Sequence, residues 1–206
     1  MRRQNSTVMN LFYILLIIFL IFITFPLQLV IAILIAFSSG FPILFKQIRI
    51  GKKNTAFTMY KFRTMKNGSE TKQTFLKKLN EADGPVFKIH NDPRFYPFGK
   101  FLSHTGLDEL PQLWNVLKGD MALIGPRPLP LYEANKLLSW QKERHTIKPG
   151  IISPWIFEGY HSEPFESWMK SDLYYIKKKS FLFDMRICLR MVPYLVNLIL
   201  RECVYF

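Results

Sequence analysis

Acidic residues are scarce in this chain, and over one long stretch charge of either sign is missing. Fifteen Asp and Glu stand against 28 Lys and Arg, a formal net charge of +13 over 206 residues. No charged residue occurs from Gln4 to Phe45. Cysteine is rare: Cys188 and Cys203 lie near the C-terminus without metal-type spacing, and at most they imply a reducing compartment. No small-residue cleavage site follows the apolar run, and the run is too long for a signal peptide. The basic residues form no stripe beside aromatics, which argues against nucleic acid as a partner. What is present is 49% hydrophobic residues, with room for one domain plus an anchor.

The uncharged stretch supplies the anchor. Val8 to Phe37 is almost wholly apolar, broken by Asn10, Thr24 and Gln28. As a straight helix it would run roughly 45 Å, against a hydrocarbon core of about 30 Å, so it must tilt, kink or end early. Pro26 predicts a kink. Arg2 and Arg3 precede the run, and Lys46, Arg49, Lys52 and Lys53 follow it. With basic residues at both ends, the charge rule gives no direction for a span. Two arrangements remain open: a single-pass helix, or a helix that enters, bends at Pro26 and returns to the same face.

The stretch Leu107 to Pro130, LDELPQLWNVLKGDMALIGPRPLP, organises the rest. Pro111 is tolerated only in the first turn of a helix, which predicts a start near Asp108 to Leu110. Leu113, Trp114 and Leu117 alternate with Gln112, Asn115 and Lys118 at helical spacing, and Gly119 reads as the stop. Asp108 then lies at or beside the N-cap, where free N–H groups attract phosphate and keep a carboxylate ionised. A carboxylate beside phosphate can hold magnesium or attack phosphorus itself. Asp108 and Glu109 could divide those tasks; equally, they fit an ordinary cap and a first-turn charge. Farther on, Arg127 is held between Pro126 and Pro128. A stiffened guanidinium meets phosphate or a base with little loss of entropy, and a structural turn explains the same residues.

Elsewhere the reading is coarser. Phe57 to Phe62 alternates like a strand, with Gly51 to Asn54 before it as a hairpin turn. Lys61 and Arg63 would project on one face, suited to a diphosphate or to lipid headgroups. Asn67 to Asp83 is predicted partly helical, Val86 to Ile89 extended, and Leu131 to His145 helical. His104 is a candidate cation near the carboxylates or an ordinary surface histidine. Trp155, Phe157, Tyr160, Phe165 and Trp168 divide between core and membrane interface in a way the sequence does not settle. From Phe181 a basic amphipathic helix suited to the headgroup layer is expected, broken at Pro193.

Several strings in order carry a resemblance. They are PILFKQIRIG from Pro42, FTMYKFRTM from Phe57, DPR from Asp92, FGKFL from Phe98 and the Leu107 stretch, followed by KPGI and DLYYIKKKSFLFD. Over about Pro42 to Asp184 the chain resembles the bacterial sugar transferases, also called monotopic phosphoglycosyl transferases. The resemblance implies a mixed α/β fold. A re-entrant membrane helix (residues 1–40) would precede a compact, mostly helical catalytic domain (41–206) with short strands and interfacial helices. It implies an enzyme of the bacterial inner membrane, with that domain on the cytoplasmic face. The reaction implied is transfer of a phosphosugar from a UDP-sugar to polyprenyl (undecaprenyl) phosphate, an early membrane step toward capsule, O-antigen or exopolysaccharide. Asp108 would be the nucleophile, forming an aspartyl phosphosugar. Glu109 would assist, and both would hold Mg2+. Lys61, Arg63, Arg127, Pro126, Pro128 and His104 would bind substrate. A homodimer is left open. Departures exist: Ser103 stands where an arginine is usual, Phe25 stands for the serine before the bend proline, and Ile152-Ser153-Pro154 and Gly159-Tyr160 replace usual glycine-containing pairs. The competing reading is a non-catalytic basic membrane adapter.

Overall fold

The computed structural model describes residues 2–157 and 163–205; Gly159 and Tyr160 lie outside them. Helix α1 (Arg2–Ser39) carries the apolar run. Two antiparallel strands follow, β1 (Leu44–Ile50) and β2 (Ala56–Phe62), joined by the predicted turn, where Gly51 N–H donates to Thr55 O at 2.7 Å. Then come α2 (Pro97–Thr105), α3 (Gln112–Lys118), β3 (Ala122–Ile124), α4 (Leu131–Ala134), β4 (Gly150–Ile152), α5 (Phe165–Lys178) and α6 (Phe181–Tyr205). Strands β3 and β4 form a separate parallel pair.

Helix α1 does not stop at Pro26. The residue lies inside a continuous helix, although its ring leaves the carbonyl four residues back without an N–H donor. A polar contact stands beside it. Thr24 Oγ1 donates to Leu20 O at 2.6 Å, and Gln28 Nε2 donates to Thr24 Oγ1 at 3.0 Å. Thr24 thus makes the local contact that the missing serine put in question. Among the described residues, Tyr13–Ser39 is the one helical segment long and apolar enough to cross a membrane. Its two halves both touch the body. Ile17 packs with Met59, Val116 and Met121, while Ile31 and Ile35 pack with Phe62, Tyr96 and Leu102. Tyr13 Oη accepts from Leu123 N–H at 2.9 Å. The opposite side exposes Phe19, Phe22, Ile23, Leu29, Val30 and Phe37.

Several sequence expectations shift. The helix expected over Leu131 to His145 is only one turn, α4, followed by a 3-10 segment at Gln141–Thr146. Val86 to Ile89 joins no strand, and Asn67 to Asp83 contributes only short 3-10 turns. Pro193 does not break α6, which continues to Tyr205; a proline removes one helical hydrogen bond, and packing of Ile187 and Met191 holds the segment just before it. The aromatic question resolves in part. Trp155 and Trp168 stack with centroids 4.8 Å apart in a core with Phe165, Leu129 and Leu137, whereas Phe157 is half-buried against Tyr194.

The hairpin is tied to α3 by one buried side chain. Asn115 Oδ1 accepts from Tyr60 N–H at 3.1 Å and its Nδ2 donates to Thr58 O at 2.7 Å. An amide thus satisfies the free edge of β2 as a neighbouring strand would. Asn115 is fully buried. Replacing it with alanine leaves both backbone groups without a partner. Asn115→Ala is expected to lower unfolding stability by roughly 2–4 kcal/mol, read by denaturant titration, whereas exposed Lys72→Ala leaves it unchanged.

Candidate active site

Asp108 enters the site through a backbone device. Helix α2 ends at Gly106, which takes φ +73°, a left-handed conformation glycine adopts without strain. The chain then makes a 3-10 turn at Leu107–Glu109, with Glu109 N–H donating to Gly106 O and Leu110 N–H to Leu107 O. Helix α3 begins only at Gln112, with Pro111 at its N-cap. The carboxylates therefore stand one turn ahead of the helix rather than on its N-cap. A proline lacks the N–H that would continue the ladder, so the turn and the helix are separate pieces.

Four of the predicted residues meet here. Lys61 Nζ lies 2.6 Å from Glu109 Oε1 and 3.3 Å from Asp108 Oδ2. Arg127 Nη1 lies 3.1 Å from the same Glu109 Oε1. Asp108 is 4% exposed. Burial pushes its carboxyl above the usual range, Lys61 opposes this, and the neighbouring Glu109 adds to it. Burial acts upward on Glu109 too, but Lys61 and Arg127 together overcome it and hold that carboxyl down at about 2. The pair is thus divided electrostatically: Glu109 is a firm anion bridging two cations, and Asp108 is a desolvated carboxyl with one weaker cationic contact.

The Pro-Arg-Pro turn is pinned from three directions. Gly125 N–H donates to Ile152 O at 3.1 Å, and Gly150 N–H donates to Pro126 O at 3.0 Å. Arg144 Nη2 donates to Arg127 O at 2.8 Å while its guanidinium pairs with buried Asp172 at 2.6 Å. Arg49 Nη1 donates to Pro128 O at 2.9 Å. Pro126 and Pro128 are buried, and only Arg127 between them reaches outward. Arg49, Lys61, Glu109, Gln112, Arg127 and Pro128 line a narrow cleft together.

Two predicted residues lie elsewhere. Arg63 falls just past the end of β2 and is turned to the end of α1. Its guanidinium donates to Phe41 O at 3.0 Å, Ser39 O at 2.7 Å, Gly40 O and Asn67 Oδ1. It satisfies helix-end carbonyls, where a cation also meets the negative end of the dipole. His104 stacks on His90 at 4.4 Å and contacts Glu202 at 3.2 Å, joining α2 to α6. Neither belongs to the ion-pair cluster.

Sequence reasoning passed over Arg49, Gln112, Asn115 and the Arg144–Asp172 pair. For Arg49 a signal existed. Register places Phe45 opposite Lys61, Gln47 opposite Met59 and Arg49 opposite Phe57, so period two puts Arg49 and Lys61 on one face of the hairpin. Asn115 and Arg144 act through distant backbone groups, which no local pattern reveals.

The two carboxylates offer a partial metal shell. Among the described residues no group of three His, Cys, Asp or Glu could hold a metal ion. Magnesium commonly takes one or two carboxylates and completes its shell with water and substrate phosphate oxygens, so this donor set fits a metal arriving with a phosphate substrate.

Glu109 gives the site a pH signature. Its folded pKa lies below the unfolded value of 4.5, so its contribution to stability is present above that value and lost as pH falls toward about 2. Relative to Glu109→Gln, the natural chain is expected to show a stability advantage that is constant above pH 5 and shrinks as pH falls toward 2, measured by urea unfolding at stepped pH.

Comparison with known proteins places the chain among relatives. The family model for bacterial sugar transferase matches residues 4–197. The galactosyl transferase CpsE of Streptococcus agalactiae is 41% identical over 151 residues, covering 73% of this chain and 34% of CpsE. The N-acetylgalactosaminephosphotransferase of Aeromonas hydrophila, named for UDP-N-acetylgalactosamine and undecaprenyl phosphate, is 37% identical over 81% of this chain and 38% of its own length. The uncharacterized sugar transferase EpsL of Bacillus subtilis is 36% identical, with 77% of this chain and 72% of EpsL aligned. The chain thus spans about a third of the first relative and most of the third. With a family model covering nearly its whole length, the chain belongs to the bacterial sugar transferase family.

Proposed function

We propose that the chain is a membrane phosphoglycosyl transferase that moves a phosphosugar from a UDP-sugar to undecaprenyl or another polyprenyl phosphate. The observation that carries this reading is the Lys61–Asp108–Glu109–Arg127 cluster: a buried carboxylate beside a second carboxylate and two cations, in a cleft walled by a rigid turn. Named activities among the relatives support the substrate classes, including a glucose-1-phosphate transferase of Escherichia coli acting on UDP-glucose and undecaprenyl phosphate.

In this reading an Asp108 oxygen attacks the phosphorus next to the sugar. An O–P bond forms, the bond to the bridging oxygen breaks, and UMP leaves with that electron pair. A phosphate oxygen of the polyprenyl phosphate then attacks the same phosphorus. The aspartyl bond breaks, which restores the carboxylate and yields a polyprenyl diphosphate sugar. Burial leaves the Asp108 carboxylate poorly solvated and so reactive once ionised, and Lys61 favours that ionised form. Lys61 and Arg127 exchange their contacts with Glu109 for phosphate oxygens when the diphosphate enters. Magnesium held by Asp108 and Glu109 would neutralise charge on the diphosphate and the leaving group.

The contacts of α1 support a re-entrant membrane arrangement. Tyr13, Ile17, Ile31 and Ile35 all touch the body, so roughly 33 Å of this helix lies against it. A perpendicular span would carry that body into the hydrocarbon. A helix that dips in and returns, bent near Thr24 and Pro26, keeps the body at the cytoplasmic face of the bacterial plasma membrane, where the active site meets the headgroup of its lipid acceptor.

The test uses detergent-solubilised protein with magnesium and a panel of UDP-sugars, without acceptor, followed by intact-protein mass spectrometry. A phosphosugar adduct is expected on the natural chain and absent from Asp108→Asn. Folded natural protein that yields neither adduct nor UMP with any donor would refute the assignment and favour an adapter.

A further inference from the structure

Buried arginines in this chain come with oxygens to bind. Arg94 pairs with Asp92 at 2.6 Å and Arg144 with Asp172 at 2.6 Å. Arg63 has no carboxylate but donates to three main-chain carbonyls and one side-chain amide. Arg49 is half-buried and lacks such a set of partners. Its one side-chain hydrogen bond among the described residues is Nη1 to Pro128 O at 2.9 Å, and its buried Nε, like Arg63 Nε and Arg144 Nη1, has no acceptor. Among the described residues no carboxylate forms an ion pair with it. Glu133 is near enough to affect its charge, yet it makes no ion pair and burial raises its own carboxyl toward the neutral form. Burial lowers the Arg49 guanidinium to about 10; the charge of Arg127 adds to this, and Glu133 and Glu109 oppose it.

A half-buried cation without an ion-pair partner is costly, and an anion arriving beside it would offset that cost. The location narrows the anion. Arg49 shares the inner face of the hairpin with Met59 and Lys61, and lines the cleft with Lys61, Glu109, Gln112 and Arg127. There Asp108 and Glu109 are taken up by Lys61 and Arg127, and Arg49 is the cation left over. Its bond to Pro128 O also fixes its head against the Pro-Arg-Pro turn, so the guanidinium is preorganised and loses little rotamer freedom on binding.

We infer that Arg49 is a phosphate-binding residue of this cleft, receiving a substrate phosphate oxygen alongside Lys61 and Arg127. The inference rests on the proposed transferase reading, in which both substrates are phosphate esters. Donor diphosphate and acceptor phosphate share this chemistry, and separate measurements distinguish them.

The full-length protein in detergent is compared with Arg49→Gln and Arg49→Lys. Magnesium–UDP binding is measured by calorimetry, the KM for a short-chain polyprenyl phosphate at saturating donor, and the thermal midpoint alongside. Arg49→Gln is expected to weaken one of the two by roughly ten- to hundredfold, the range of a lost charge-assisted hydrogen bond. Arg49→Lys, which keeps the charge and a donor for Pro128 O, recovers part of the loss at a near-native midpoint. Weakened UDP binding assigns the donor diphosphate, and a raised acceptor KM with unchanged UDP binding assigns the acceptor phosphate. Both parameters unchanged in folded protein, or a lowered midpoint with unchanged parameters, overturns the inference and makes Arg49 a strut for the turn. Natural protein that binds no UDP and turns over no donor would instead overturn the transferase reading itself.

Discussion

One ammonium group holds the site together. Lys61 Nζ touches both Asp108 and Glu109, and Glu109 passes the connection on to Arg127. Strand β2, the turn before α3 and the Pro-Arg-Pro loop are far apart in sequence, and this ion chain is where they converge. Much of the surrounding architecture fixes those three pieces. Asn115 locks β2 to α3, Gly106 permits the sharp entry to the carboxylates, and Arg144 with Asp172 grips the loop through Arg127 O. Without the cations, a buried carboxylate beside a half-buried one would be repelled by it and protonate. With Lys61 and Arg127 between them, one is firmly ionised and the other is held desolvated beside an ammonium.

The arrangement also explains why charge of one sign is scarce in the chain yet concentrated here. Phosphate esters need cations, and a nucleophilic or metal-binding carboxylate needs to survive among them. Ion pairs inside the cleft hold both kinds of group in one place without leaving each charge alone. In the proposed reaction, an entering diphosphate would offer Lys61 and Arg127 new oxygens and free the carboxylates. Helix α1 packs against the body with both of its halves, which in the proposed arrangement would set the height of the cleft at the membrane.

Local patterns carried the elements that rest on short-range physics. The hairpin with its Gly51 turn, the stop at Gly119 and the apolar run are all local matters of period, glycine freedom and hydropathy, and each stands where the sequence places it. Asp108, Glu109, Lys61 and Arg127 were legible as charges beside turns. Their mutual contact was legible only through family resemblance. Destinations of long side chains were not. Arg63 reaches carbonyls at the end of α1 more than twenty residues back, and Arg49 reaches Pro128, 79 residues on. His104 is claimed by Glu202 at the far end of the chain. Proline was overread at Pro193, since a helix with packed neighbours tolerates one missing hydrogen bond.

The central claim is that the phosphosugar rests on the protein between two separate transfers. Isotope exchange tests it most directly. Labelled UMP would be incubated with unlabelled UDP-sugar, magnesium and the natural chain, with no polyprenyl phosphate present. A covalent intermediate on Asp108 predicts that label appears in the UDP-sugar, and that Asp108→Asn abolishes the exchange. Absence of exchange until acceptor is added, from protein that completes the overall transfer, would contradict the account and point to direct passage between the two phosphates.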